Sequence, residues 1–241
     1  MRMPHINLDE NTGCERAILP GDPKRAERIA EHMEDVVDLG MNREYRALKG
    51  LYKGVPVLSM STGMGGPSTA IAVEELKKLG YSRLIRIGSA GALKPGFGIG
   101  DLVIVTGAIR DDGTSATYVE PQYPAVPDFT LTCALKIKAS ELGFRHQLGI
   151  VRSHDALYSD RNPELYSKWS STPALASDME TATLLTVASL RDIQAASILN
   201  IVALHKSDIA KSIGKYASGA DESMSGETKE IILALEALAY V

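Results

Sequence analysis

The sequence predicts an α/β fold, a single domain in which a central mixed β-sheet is flanked by helices. Three observations predict it. Short apolar runs alternate with amphipathic helical segments along the whole chain, the pattern of a sheet covered on both faces. No repeat, linker or low-complexity tract divides the 241 residues, so one domain over 1–241 is expected, long enough to bury a substantial core. Hydrophobic residues make up 44% and charged residues 23%, a folded composition rather than a disordered one.

The elements follow in order. Ala17-Ile18-Leu19 reads as a short strand closed by the turn Pro20-Gly21-Asp22-Pro23. A helix then runs to about Met33, with Asp22 as N-cap and Pro23 at its first position. Val36 to Leu39, Tyr45 to Tyr52 and Val55 to Met60 read as strands, the last two joined by a hairpin at Lys53-Gly54. Gly63-Met64-Gly65-Gly66-Pro67-Ser68 opens a helix from Thr69 to Leu79, capped by Gly80. Arg83 to Ile87 is a buried strand ending in Gly88-Ser89-Ala90-Gly91, and Asp101 to Ile109 is another. Helices are expected over Asp128–Leu142, Asp178–Leu190 and Glu227–Leu238, with a continuous apolar strand from Ala196 to Leu204.

The bulk numbers exclude some classes of function. A formal charge of −4 gives no electrostatic reason to bind nucleic acid or an anionic membrane, so any anion site must be local. The two cysteines, Cys14 and Cys133, show no CxxC and no metal-ligand pattern, and read as reduced thiols. The N-terminal MRMPHINLDEN lacks a hydrophobic signal core and no segment has the apolar length of a membrane span. A cytoplasmic protein is expected.

Several glycine turns fall at predicted strand ends, where ligands bind in open α/β sheets. Gly21-Asp22-Pro23 with Arg25 follows the first strand, and Gly63-Met64-Gly65-Gly66 follows the hairpin. Gly88-Ser89-Ala90-Gly91 follows a strand that carries Arg86. Glycines let backbone N–H groups approach an oxyanion, and arginine offers a donor fork that matches phosphate. Each such turn, taken singly, reads first as a plain tight turn, the commonest use of glycine. Arg86 differs, because it interrupts the apolar run Leu84-Ile85-Arg86-Ile87, where an unpaired charge is costly. It requires a buried anionic partner, either a carboxylate or a bound phosphate. GxGxxG and GxxxxGK[ST] are both absent.

Taken in sequence, Gly21-Asp22-Pro23-x-Arg25, Asn42-Arg43-Glu44, Ser61-Thr62-Gly63-Met64-Gly65-Gly66-Pro67-Ser68, Arg86-Ile87-Gly88-Ser89-Ala90-Gly91 and Asp178-Met179-Glu180 resemble the successive signatures of the hexameric nucleoside phosphorylase family. That family includes uridine phosphorylases and the bacterial trimer-of-dimers purine nucleoside phosphorylases. The resemblance covers nearly the whole chain. It implies a phosphorylase/hydrolase-like fold with a partly barrel-like sheet, and phosphorolysis of a ribonucleoside to free base and ribose 1-phosphate. The stretch Ser61–Gly80 is especially similar to the uridine enzymes, so uridine is the first expectation. A purine nucleoside is the alternative, followed by a nucleoside-binding homologue with weak or no turnover.

The same resemblance implies roles residue by residue. Gly21, Arg25, Arg86 and Ser89 would hold phosphate, joined by Arg43 from a neighbouring subunit, and His5 would cross the same interface to the ribose 5′-hydroxyl. Glu180, read as first-turn residue of its helix, would accept from the ribose hydroxyls, with Met64 and Met179 on the sugar's apolar face. Gly91, Leu157, Arg161, His205 and Asp208 would surround the base. The uridine enzymes read uracil with a Gln and an Arg; here that region is Ser159-Asp160-Arg161-Asn162-Pro163, in which only Arg161 offers a substitute. Aligned without a gap, Ala203-Leu204 stands where the purine enzymes place their catalytic acid, while Ser207-Asp208 lies four residues later. Arg86, Glu180 and His205 are the expected catalytic residues. No metal or organic cofactor is implied, beyond a structural monovalent cation near Glu44 and Ser68. The implied partners are a nucleoside, inorganic phosphate and other copies of the chain, at least a dimer and by resemblance a hexamer.

Overall fold

β1 (Arg16–Pro20) is apolar after its first residue and lies inside the sheet, bonded in parallel to β4 (Val55–Met60) on one side and β5 (Arg83–Ala92) on the other. The computed structural model describes residues 2–207, 212, 214, 216 and 221–241. α1 (Pro23–Ala30) starts as its sequence dictates: the Asp22 carboxylate accepts from Lys24 N, and proline occupies the first turn. β2 (Glu34–Asn42), β3 (Tyr45–Tyr52) and β4 form an antiparallel meander, and Lys53 and Gly54 turn between the last two in the left-handed region. α2 (Gly66–Lys78) begins three residues before the expected Thr69, because Pro67 is accommodated inside its first turn.

The second half holds β6 (Leu102–Asp111), α3 (Gly113–Tyr118), α4 (Phe129–Glu141), β7 (His146–His154), α5 (Asn162–Ser170), β8 (Ala176–Asp178), α6 (Thr181–Leu190), β9 (Gln194–Ala203) and α7 (Asp221–Tyr240). The sheet order is β2-β3-β4-β1-β5-β8-β7-β6-β9, and β9 pairs again with β5. The strands from β5 to β9 therefore close into a barrel while β1 to β4 continue outward as an open wing. This is the mixed, partly barrel-like sheet that the sequence led one to expect.

Two apolar cores lie on the two faces. One packs α2 and α6 over Leu84, Val103, Val151 and Leu199; the other packs α1, α4 and α7 over Ile18, Ile85, Ile104 and Ile198. Each fully buried aliphatic side chain of this kind contributes about 1.5–3 kcal/mol. Among the described residues no helix is long and apolar enough to cross a membrane.

Two further helix boundaries differ from expectation. The helix expected over Asp178–Leu190 starts only at Thr181, because Ala176–Asp178 first pairs with β5 and β7 as the short strand β8. Asp178 still serves that helix, its Oδ2 accepting from Thr181 N (3.0 Å) and Thr181 Oγ1 (2.6 Å). The C-terminal helix begins at Asp221 rather than Glu227. Among the described residues, α3, α5, β7, β8 and a short 3-10 helix at Glu10–Thr12 go unread in the sequence. β7 is the instructive one, since its inner half carries Arg152, Ser153 and His154, all buried polar residues that hide an apolar run.

Candidate active site

Parallel pairing of β4, β1 and β5 sets their carboxyl ends side by side, which gathers the Gly21 and Gly63 turns beside Gly88-Ser89-Ala90-Gly91; that stretch, expected to be a turn after Ile87, is instead the paired end of β5. The Gly21 and Gly63 turns touch: Gly63 N donates to Gly21 O (3.0 Å), and a Cβ on Gly21 would lie 3.2 Å from Gly63 O. Arg25, in the first turn of α1, is buried beside the end of β5. Its Nε donates to Glu227 Oε2 (2.9 Å), its Nη1 to Ile87 O (3.4 Å), and its Nη2 to the Tyr216 hydroxyl. Glu227 also accepts from Arg28 Nε and from the Tyr216 hydroxyl.

Arg86 is buried on the adjoining strand, and the anionic partner its setting demands is a pair of carboxylates. Nε donates to Asp178 Oδ2 (3.1 Å) and Nη2 to Glu180 Oε2 (2.5 Å). Both arginines converge on Gly88. Arg86 Nη2 would lie 2.5 Å from a Cβ there, so only glycine leaves room for the guanidinium to fold back along its own strand. From α7, Glu230 Oε2 accepts from Gly88 N (3.2 Å), while Glu230 Oε1 lies 3.4 Å from Arg25 Nη1.

The charges at this point do not cancel evenly. Burial pushes Glu230 up to about 8, although Arg25 pulls the other way, so near neutral pH it is mostly protonated. Burial would also raise Glu227, but the Arg28 hydrogen bond and the Arg25 charge outweigh it and hold it below its usual range. Glu180 is raised, chiefly by burial against the opposing pull of Arg86. Two guanidinium groups, those of Arg25 and Arg86, thus stand buried beside the Gly21 and Gly63 turns. That combination suits a small dianion.

Glu180 is the N-cap residue of α6 rather than a first-turn residue, and its side chain does not cap the helix. It reaches instead across the cleft, where Oε1 accepts from Gly65 N (2.6 Å) and Oε2 from Arg86. Helix capping is left to Asp178, which frees Glu180 to face the site. Met64 stands 87% exposed on the neighbouring turn, and Met179 is half-buried. Ser89 is half-buried on β5 and pairs in register with Asn200 of β9.

The interface candidates lie on the open wing. Arg43 is exposed in the left-handed turn between β2 and β3 (φ 53°). His5 is held by Glu75 of α2, its Nδ1 2.6 Å from Oε1, and its backbone N and that of Ile6 also donate to that carboxylate. Glu44 and Ser68 pack against Gly63, and among the described residues no group of three or more His, Cys, Asp or Glu is arranged to hold a metal.

The base candidates form a looser group. Gly91, next to the last residue of β5, pairs with Ala203 of β9, and His205 follows Ala203 by two residues, half-buried. Leu157 is half-buried, while Tyr158 and Arg161 are exposed, Arg161 at the start of α5. Asp208 lies outside the described residues. Sequence reasoning passed over Glu75, Glu227 and Glu230, each sitting in an ordinary amphipathic helix where a glutamate carries no signal. It also passed over Arg152 and His154 of β7. Arg152 is 1% exposed and bonds Asp111 Oδ2 through Nε (2.7 Å), whereas its Nη1 and the Nδ1 of buried His154 have no hydrogen-bond partner among the described residues. A buried unpartnered donor costs about 1–3 kcal/mol.

Comparison with known proteins agrees with this geometry. The family model of the phosphorylase superfamily matches residues 15–235. The chain belongs to that superfamily. It is 44% identical over 208 residues to a uridine phosphorylase of Treponema pallidum, covering 82% of this chain and 81% of that one. It is 37% identical over 200 residues to a guanosine phosphorylase of Halorubrum lacusprofundi, covering 83% of each. Among solved structures, uridine phosphorylase from Vibrio fischeri superposes with a TM-score of 0.93 at 40% identity, covering 100% of this chain and 98% of the other.

Proposed function

We propose that this superfamily member is a nucleoside phosphorylase that splits uridine with inorganic phosphate into uracil and ribose 1-phosphate. The observation that carries this reading is the convergence of Arg25 and Arg86 at Gly88, beside the Gly21 and Gly63 turns and Glu180. Phosphate takes the place bounded by Gly21, Arg25, Arg86 and Ser89, and Arg43 of an adjoining copy completes it. The arginines neutralise the dianion and aim an oxygen at C1′. The glycosidic bond lengthens, its electron pair passes to the base, and the sugar acquires oxocarbenium character. Glu180 accepts from the ribose hydroxyls, Met64 and Met179 cover the sugar's apolar face, and His5 of the adjoining copy meets the 5′-hydroxyl. His205, with Gly91, Leu157, Arg161 and Asp208, borders the base, where an imidazole stabilises charge on a carbonyl oxygen.

The wing carrying His5 and Arg43 makes a dimer the smallest competent unit, within a hexamer, in the cytoplasm. The reaction itself needs no metal or organic cofactor; a monovalent cation at Glu44 and Ser68 would serve only the subunit contact. Uridine leads because relatives bearing that name match most of the chain at 44% and 36% identity. A purine nucleoside is the second reading, favoured by the similarity to the guanosine enzyme.

The test is release of free base from uridine, inosine and guanosine, with and without phosphate. Phosphate-dependent release of uracil is expected. Release independent of phosphate indicates a hydrolase, and tight nucleoside binding without product indicates a sensor; either result overturns the proposal.

A further inference from the structure

One face of the barrel carries a polar row that the reading above leaves unused. Gly91 of β5 pairs with Ser177 of β8, and Ser177 pairs with Arg152 of β7, so the three share a line across three strands. Two strand spacings separate Gly91 from Arg152, about 10 Å. Asp111 of β6 and His154 of β7 are the next pair in register on the same face. The space over Gly91 is open: a Cβ there would have only Ala203 Cβ within 4 Å, at 3.9 Å.

The row is built, not accidental. Asp111 fixes Arg152 through Nε and accepts from Trp169 Nε1 (3.2 Å), and the Arg152 guanidinium lies 5.7 Å from the Tyr166 ring centroid. Tyr166 meets the His154 ring edge-on at 6.2 Å, and its hydroxyl sits against Ser177. α5 therefore closes over this face. Yet Arg152 Nη1 and His154 Nδ1, on residues 1% and 4% exposed, find no hydrogen-bond partner among the described residues. Native interiors rarely leave two such atoms unsatisfied side by side, and a bound ligand is one way to satisfy them.

We propose that Arg152 and His154 read the nucleobase edge, with Arg152 Nη1 donating to a base carbonyl and His154 Nδ1 accepting the neighbouring ring N–H. The inference rests on the phosphorolysis reading and names its specificity residues. Burial and the Arg152 charge lower the His154 pKa, which keeps the imidazole neutral and its Nδ1, in the Nε2–H tautomer, able to accept. The chemistry selected is a carbonyl beside an N–H, which uracil and 6-oxopurines share. Cytosine and adenine would bring an amine toward a guanidinium. Arg152 also acts in the reaction. As the C1′–N bond breaks and phosphate oxygen bonds C1′, the departing electron pair spreads onto the base carbonyls, where the guanidinium stabilises it. The base anion then takes its proton from water. Arg161, exposed on the loop after β7, is not needed for this recognition.

Wild-type protein is assayed first with uridine and phosphate. Absence of product there removes the phosphorylase reading itself, before any variant is made. With active wild type, Arg152→Met is expected to lower kcat/KM for uridine at least a hundredfold while phosphate KM stays within twofold. Uridine kcat/KM within threefold of wild type, or a phosphate KM rising in step, overturns base recognition and leaves phosphorolysis standing. Should thermal melts show Arg152→Met unfolded, His154→Ala carries the same comparison with an expected tenfold loss. A third arm uses the native enzyme, since Trp169 is the chain's single tryptophan and bonds the aspartate that holds Arg152. Free uracil should change its emission with the midpoint of product inhibition. Unchanged emission at inhibitory uracil sinks the proposal.

Discussion

Arg86 and Arg152 are both buried arginines of one sheet, two strands apart in its order, and their surroundings differ in kind. Arg86 is met by two carboxylates, Asp178 and Glu180, through two charge-assisted hydrogen bonds. Arg152 has one carboxylate, Asp111, which is itself partly exposed, and keeps a donor without a partner among the described residues. In the first arrangement Nε and Nη2 are each fixed by a carboxylate, so the guanidinium is held in place by the chain's own residues. The second is incomplete and awaits a carbonyl. An enzyme that must grip a constant anion and a variable base gains by dividing the tasks this way. The reacting end is pre-organised, and the recognising end gives up some stability for specificity.

The largest expected break in this contrast comes at Arg86. Arg86→Ala leaves two buried carboxylates facing each other, so it should abolish turnover, by a factor of about a thousand or more, and cost on the order of 3 kcal/mol of stability. Urea unfolding alongside steady-state kinetics measures both. Near-normal turnover in this variant contradicts the phosphate role.

Glu230 sharpens the comparison through pH. Its folded pKa of about 8 stands above the ordinary value of 4.5, so between those limits the folded state binds more proton than the unfolded chain. Its contribution to stability is therefore present at acid pH and is lost as pH rises from about 4.5 to 8. Glu230→Gln removes that dependence. Relative to wild type, the variant should gain a few kcal/mol in unfolding free energy between pH 5 and pH 8.5. Parallel stability curves for the two proteins would show that Glu230 titrates normally.

Glu75 gives the smallest effect. Its carboxylate fixes His5 from α2 and touches neither arginine in any hydrogen bond among the described residues. Loss of one charge-assisted bond in Glu75→Gln should raise uridine KM about fivefold with kcat nearly unchanged. Phosphate KM should not move. A drop in kcat instead would mean that Glu75 supports the fold around the glycine turns rather than the placement of His5.

Much of the proposed anion site was legible from residues alone. An arginine inside Leu84-Ile85-Arg86-Ile87 announces a buried anionic partner, and glycine turns after apolar runs announce open strand ends. The partner proved to be Asp178 with Glu180, a choice that needed β8, a three-residue strand too short to carry periodicity. The recognising half was hidden for the opposite reason. Arg152 and His154 replace apolar residues at inward positions of β7, so the very residues that matter erase the strand's signature. Glu180 was placed near its helix start, but its side chain faces the cleft only because Asp178 takes over the cap.

By itself the sequence determined the α/β class, the order of most elements, the glycine turns and the family, because local propensity, hydrophobic periodicity and motif order are written in neighbouring residues. Tertiary structure alone decided which carboxylate meets which arginine, which strands close the barrel, and that Gly91, Ser177 and Arg152 form one row. Those contacts join residues tens of positions apart through strand register. Register is set by how the whole sheet packs, and no local stretch of the chain encodes it.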